Sequence, residues 1–267
     1  MNHICIKLAK GKKPVCSIRK KSKLLWIVCP HRLCSTLKQI LISNYQISML
    51  KSVADIIYND NLPLSDILIK RDQKVQISPK RSYQADFIMA RKVGGKLHQI
   101  QAIVEMQGGG ETSHTGKISK QVEEWETNPD RNNIILASLI KESGTIETNA
   151  WRRQQEQFIV KGNVAVQTGG RMVFCIGVPL YDYLMAKINK QALQDLRNFN
   201  WSLALIAISE DTAKSPHPGP IPLKIDTERM LFTNYHNFVN ELTHQGGPDP
   251  NLFKGTFLGL DGSSITI

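Results

Sequence analysis

Apolar positions Leu37, Ile40, Leu41, Tyr45, Ile47, Leu50, Val53, Ile56 and Ile57 recur at roughly helical spacing over 35–58, and Asn59-Asp60-Asn61-Leu62-Pro63 then predicts a turn. The following Ile67-Leu68-Ile69 suits a short helix or a strand equally well, because so short an apolar run has no resolvable period. Over 83–93 β-favouring residues dominate, Gly94-Gly95 predicts a hairpin, and 97–107 is its second strand, ended by Gly108-Gly109-Gly110. The composition then turns helical over 113–125, with Ile118, Val122 and Trp125 on one face. A short buried strand is predicted at 134–140 and a helix at 149–164, opened by Asn149 as cap. The continuous apolar run 172–178, closed by Pro179, has the form of a strand covered on both faces. After it come a helix over 181–196, a strand over 203–208, a Pro/Gly-rich loop over 215–222, a helix over 227–242, and loop from Gly246. Strands alternating with helices imply an α/β or α+β domain with a mixed central sheet. The chain has no internal repeat and no low-complexity tract.

With 267 residues, 41% of them hydrophobic and 21% charged, the chain falls outside the disordered and fibrous classes. Its charge is unusual: 34 Lys and Arg against 23 Asp and Glu give a net +11. Residues 1–54 hold eleven Lys and Arg, from Lys7 to Lys51, and no acid; the first is Asp55. That leaves 23 basic and 23 acidic residues in 55–267, a neutral body behind a basic segment. An acid-free basic segment suits a phosphate backbone, since each neutralised phosphate releases counterions; it is equally compatible with a solvated tail. The apolar run 24–29 is only six residues long before Pro30-His31-Arg32. It is far short of the roughly 18 apolar residues of a membrane span, and no small-residue cleavage site follows. The expectation is a cytoplasmic protein with no membrane partner.

Four of the five cysteines, Cys5, Cys16, Cys29 and Cys34, fall in the same basic segment, whereas Cys175 lies alone in an apolar run. Clustered cysteines in a reducing compartment point to metal more than to disulfides, and neighbouring lysines favour thiolates. A segment this short buries little by itself, and a tetrahedral metal would supply the missing folding free energy. The spacings nevertheless lack the paired Cys-x2-Cys of common zinc modules.

The predicted hairpin carries the most informative chemistry. Asp86 lies on its first strand, and Glu105 and Gln107 on its second. Side chains alternate along a strand, so Glu105 and Gln107 share a face that Val104 and Met106 do not. A turn at Gly94-Gly95 brings Asp86 beside Glu105, and two neighbouring carboxylates suit a hard cation such as Mg²⁺. Such an ion polarises a phosphodiester and lowers the pKa of an attacking water, with Gln107 placed to orient that water or a phosphate oxygen. The triple glycine matches neither the P-loop nor the dinucleotide fingerprint. His114 is a lone histidine of the following loop.

An acid followed by Glu-x-Lys or Glu-x-Gln on an apolar strand resembles the PD-(D/E)xK nuclease superfamily, and the ordered blocks resemble its NotI-type type II restriction endonucleases. The blocks are Pro14-Val15-Cys16-Ser17, Leu25-Trp26-Ile27-Val28-Cys29-Pro30-His31-Arg32, the segment 83–87, Val104-Glu105-Met106-Gln107, and Asn149-Ala150-Trp151-Arg152-Arg153 through Gln157 and Lys161. The resemblance spans residues 5–161. It implies a restriction-endonuclease-like core over 55–267 behind a Cys-rich metal module at 1–54. It also implies a homodimer that cuts double-stranded DNA at a GC-rich palindrome. Asp86 and Glu105 would be Mg²⁺ ligands, Gln107 the third active-site residue, and Cys5, Cys16 and Cys29 ligands of a structural iron or zinc. The family has a further cysteine ahead of the position of Cys5; here either Cys34 completes the set or a ligand lies upstream of Met1. Arg152, Arg153, Gln154 and Gln157 are expected to contact DNA, since Arg reads guanine and Gln adenine through two hydrogen bonds. The alternatives are a non-specific or repair nuclease on the same fold and a non-catalytic DNA-binding protein with a metal-stabilised basic arm.

Overall fold

In a computed structural model, residues 15–19, 24–33, 42–108, 115–142, 150–214, 221–244 and 250–267 are described. A short hairpin, β1 (Ser17–Arg19) and β2 (Leu25–Ile27), precedes helix α1 (Asn44–Tyr58). Strands β3 (Ile67–Ser78), β4 (Arg81–Val93), β5 (Lys96–Leu97) and β6 (Ala102–Gln107) follow, then helices α2 (Thr115–Thr127), α3 (Pro129–Glu142) and α4 (Ala150–Gln167). Next come β7 (Arg171–Gly177), α5 (Val178–Lys187), β8 (Leu203–Glu210), β9 (Leu223–Thr233) and α6 (Tyr235–Thr243). A small hairpin, β10 (Thr256–Leu258) and β11 (Ser264–Thr266), ends the chain.

Seven strands form one mixed sheet in the order β3-β4-β6-β7-β8-β9, with β5 paired to β4. The β6-β7 and β7-β8 pairs are parallel and the rest antiparallel. Parallel neighbours need crossovers; the crossover helices α4 and α5 lie on one face and α1 covers the other, which is why β7 and β8 are almost wholly apolar. Phe158, Phe174, Leu184 and Phe238 belong to the cluster on one face; Val53, Val104, Ile206 and Phe232 belong to the other. The expected α/β architecture with a mixed sheet flanked by helices is therefore what the chain adopts.

The N-terminal hairpin is not separate from this core. Ile18, Trp26 and Val28 join the first cluster, and Ile27 and Leu33 the second. The division expected at 54/55 falls inside α1, whose start is fixed by a capping box between Ser43 and Gln46. Gly108, directly after β6, has no room for a side chain: a Cβ would collide with the Ile27 carbonyl, and its own carbonyl stands where a Cβ of Gly177 would be.

Three expectations need correction. The segment 134–140 is helix, part of α3, because Pro129 sits at its first position and Ile134 and Ile135 face solvent instead of a sheet. The start of the expected helix over 227–242 is strand β9, paired along β8 from Leu203↔Thr233 to Glu210↔Leu223, and helix begins only at Tyr235, capped by Asn234. The helix expected to reach 196 ends at Lys187. Ile67-Leu68-Ile69 proves to open the twelve-residue strand β3.

Candidate active site

Asp86 and Glu105 meet as the hairpin predicts. The turn at Gly94-Gly95 uses left-handed backbone at both glycines, and β4 pairs with β6 through Met89↔Ala102, Ile88↔Ile103 and Phe87↔Val104. Pairing stops there. Asp86 is the next residue on β4, and its carboxylate accepts the Met106 N–H at 2.8 Å in place of a backbone ladder bond. The strands therefore part where the two carboxylates face one another. Across β4, the partner of Asp86 would be Asp72, the one non-glycine residue of β3 with left-handed backbone (φ 50°). At this kink the strand changes face: Phe87 and Met89 pack in one cluster, Ala85 in the other.

Glu105 is only 1% exposed and lies on the face shared with Ile103 and Phe174, while Val104 and Met106 face the opposite cluster. Burial pushes its carboxyl up to about 7; the Lys161 ammonium pulls it down and the Asp86 charge adds to the rise. Lys161 of α4, 7% exposed, donates to Glu105 Oε2 at 2.6 Å and to the Gln84 carbonyl at 3.0 Å, with its ammonium 5.2 Å from the centre of the Tyr83 ring. Glu105 Oε1 and the Tyr83 hydroxyl are buried without a hydrogen-bond partner among the described residues. Burial, together with the charge of Glu105, raises the Tyr83 phenol above its ordinary range. Gln107 donates to Gln157 Oε1 at 2.6 Å.

The helix that supplies Lys161 is held at close range. Gly162 packs where any Cβ would overlap the Tyr235 ring, and the Tyr235 hydroxyl donates to the Ile159 carbonyl at 2.6 Å. Lys161 and Tyr83 fall within the blocks noted in the sequence, which assign neither of them a chemical role. The available signal is that Lys161 sits among Phe158, Ile159, Val160, Val164 and Ala165, a cation on an apolar stripe that must bury a partner for it.

The remaining expected residues divide. Arg152, Arg153 and Gln154 fall in the first turns of α4, and their side chains lie outside the described residues, as do Cys5, Cys34, His114, Gly109 and Gly110. Gln157, expected on bases, is bonded to Gln107 and lines an open cleft of about 970 Å³ with Arg81, Tyr83, Gln84 and Lys161. Cys16 and Cys29 come together at the end of the β1-β2 hairpin, where the Cys16 carbonyl accepts the N–H of Val28 at 3.1 Å and of Cys29 at 3.2 Å. Among the described residues, no group of three or more His, Cys, Asp or Glu side chains is placed to hold a metal. No helix among them is long and apolar enough to cross a membrane.

No protein-family model and no curated protein matches the chain, so the chemistry of the site is read from its residues.

What this arrangement can do follows from its donors. Two carboxylates with a buried, unpartnered oxygen form an oxygen-rich site suited to a hard divalent cation, which characteristically takes one or two carboxylates and completes its shell with water and substrate phosphate. The adjoining ammonium and amide offer donors to an anion.

Proposed function

We propose that this chain is a Mg²⁺-dependent type II restriction endonuclease that hydrolyses phosphodiester bonds of double-stranded DNA at a specific site, acting as a cytoplasmic homodimer. The observation that carries the reading is the parting of β4 from β6 at Asp86 and Glu105, with Glu105 Oε1 buried and unpartnered beside the Lys161 ammonium. Asp86 and Glu105 would hold Mg²⁺, which supplies Lewis-acid polarisation of the phosphodiester and eases deprotonation of water. Lys161 favours the ionised form of Glu105 and places positive charge where the phosphate would sit. Gln107, steadied by Gln157, orients the water that attacks phosphorus as the bond to the leaving oxygen breaks. Cys16 and Cys29, with Cys5 and Cys34, would bind the structural iron or zinc, and Arg152, Arg153 and Gln154 would contact DNA from α4.

The Glu105–Lys161 contact also supports a second reading, in which the pair is only an internal counterion and the chain binds DNA without cutting it. Incubating the purified protein with plasmid DNA and Mg²⁺ separates the two: discrete fragments are expected, a smear indicates a non-specific nuclease, and intact DNA a binder. Asp86→Asn and Glu105→Gln should each abolish cutting while DNA binding survives. Cutting at a near wild-type rate by either variant removes the active-site assignment.

A further inference from the structure

The antiparallel ribbon made by β3 and β4 extends past the point where β6 stops pairing. From Gln73↔Ala85 to Ser78↔Arg81 its two strands pair with each other, while β6 pairs only with residues 87–89 of β4. This projecting half is strongly basic. Over 73–85 it carries Lys74, Lys80 and Arg81 and no acid, and Lys70 and Arg71 stand just before it with the single acid Asp72. Lys70, Lys74, Lys80 and Arg81 are exposed, and none is in an ion pair among the described residues.

The two faces of the ribbon differ. Val75 and Tyr83, paired across the strands, pack toward the apolar cluster. The neighbouring pairs Lys74↔Gln84 and Gln76↔Ser82 carry exposed side chains that can all hydrogen-bond. Between the ribbon and α4 runs the 970 Å³ cleft, from Lys80 and Arg81 at the tip to Lys161 at the carboxylates. A two-stranded ribbon has the right width for the major groove of B-DNA, and cations at its tip are placed for the flanking phosphates.

We propose that the β3-β4 ribbon is the arm by which the chain grips duplex DNA, with Lys74, Lys80 and Arg81 on backbone phosphates and the cleft leading the strand to Asp86 and Glu105. The choice of duplex DNA as the polyanion rests on the endonuclease reading. The positive excess that composition places in residues 1–54 thus has a second, smaller counterpart inside the charge-neutral body.

The test measures binding apart from cutting. Fluorescence anisotropy of a labelled 30-base-pair duplex is followed with the full chain in EDTA, across a series of salt concentrations. The triple variant Lys74→Ala/Lys80→Ala/Arg81→Ala should lose at least tenfold in affinity, and its log–log salt slope should shrink by about two to three, roughly 0.9 per lost phosphate contact. Lys187→Ala/Lys224→Ala/Lys254→Ala, also exposed, should stay within about twofold. Circular dichroism melts confirm that both variants fold, and Lys80→Gln/Arg81→Gln gives an independent, milder pair with a slope change near two. An unchanged slope and affinity in the ribbon variants, or an equal loss in the control, overturns the proposal. If wild-type protein binds through the ribbon but never cuts with Mg²⁺, the ribbon stands and the endonuclease reading falls. If the ribbon variant binds and cuts like the wild type, the endonuclease reading stands and the ribbon falls. Absence of duplex binding by the wild type removes both.

Discussion

Strands β7 and β8 and the β3-β4 ribbon belong to one sheet and are built from opposite materials. In β7 every residue after Arg171 is buried, and six consecutive residues of β8 are buried likewise. In the ribbon the side chains from Lys74 to Gln84 are mostly exposed, and stability comes from one partly buried face. Set side by side, they locate where a sheet can hold polar chemistry. A strand covered twice is almost wholly apolar, and on a strand covered once only the inward face, as at Tyr83, is dry enough to shift a pKa. Glu105 lies at the seam, on a strand dry enough to raise its carboxyl and open enough at Asp86 to admit a ligand.

The contrast can be tested most forcefully in the dry part. Phe174→Ala removes a ring 4.1 Å from that of Phe158 between sheet and helix, and should cost about 3–5 kcal/mol in chemical denaturation. Val75→Ala in the ribbon should cost about 1 kcal/mol or less. Equal losses would mean that the ribbon is as much core as β7 is. At the seam, Glu105→Ala strands the buried Lys161 ammonium and should cost about 3 kcal/mol. Combining Glu105→Ala with Lys161→Met should recover part of that, as a double-mutant cycle would show; additive losses would mean that the pair is not coupled.

The pH dependence probes the same seam. Glu105 has its carboxyl raised to about 7 in the folded chain, whereas in the unfolded chain it titrates in the ordinary glutamate range near 4.3. Between those values the folded state holds the proton and the unfolded state does not. The contribution of Glu105 to stability therefore falls as pH rises across that window, by roughly 3–4 kcal/mol in all. Glu105→Gln should flatten that part of the curve of stability against pH, and an unchanged curve would show that the carboxyl is not dry. The Mg²⁺-dependent cutting rate should rise with pH as Glu105 ionises, with its midpoint below that of the metal-free carboxyl because a bound cation favours the carboxylate. A small effect is expected at the rim of the apolar face: Ser43→Ala removes the cap of α1 and should cost about 1 kcal/mol in a thermal melt.

These contrasts also explain what can be read from sequence. The strands at 172–178 and 203–208 are legible because double burial leaves an unbroken apolar run. The Asp86–Glu105 pairing is legible because Gly94-Gly95 fixes the hairpin and period two fixes the faces. The body of β3 is not, because Lys70 to Ser78 carries no apolar alternation strong enough to outweigh its charges, and its pairing with β4 is decided across a turn at Pro79-Lys80. The run at 134–140 suggests the wrong element because apolar residues there are exposed, so burial cannot be inferred from them. Lys161 escapes because its partner is 56 residues away, and only the packing of α4 on the sheet brings the two together.

Gly108 joins these regions. At that point the backbones of the N-terminal hairpin, the end of β6 and the end of β7 press together with no side chain between them. The Ile27 backbone is thus held one peptide bond from Gln107. A joint without padding has no space to take up an added side chain, so the hairpin and the end of β6 must fit there backbone against backbone. A side chain wedged in at Gly108 would therefore displace Ile27 or the end of β7 without touching Asp86 or Glu105.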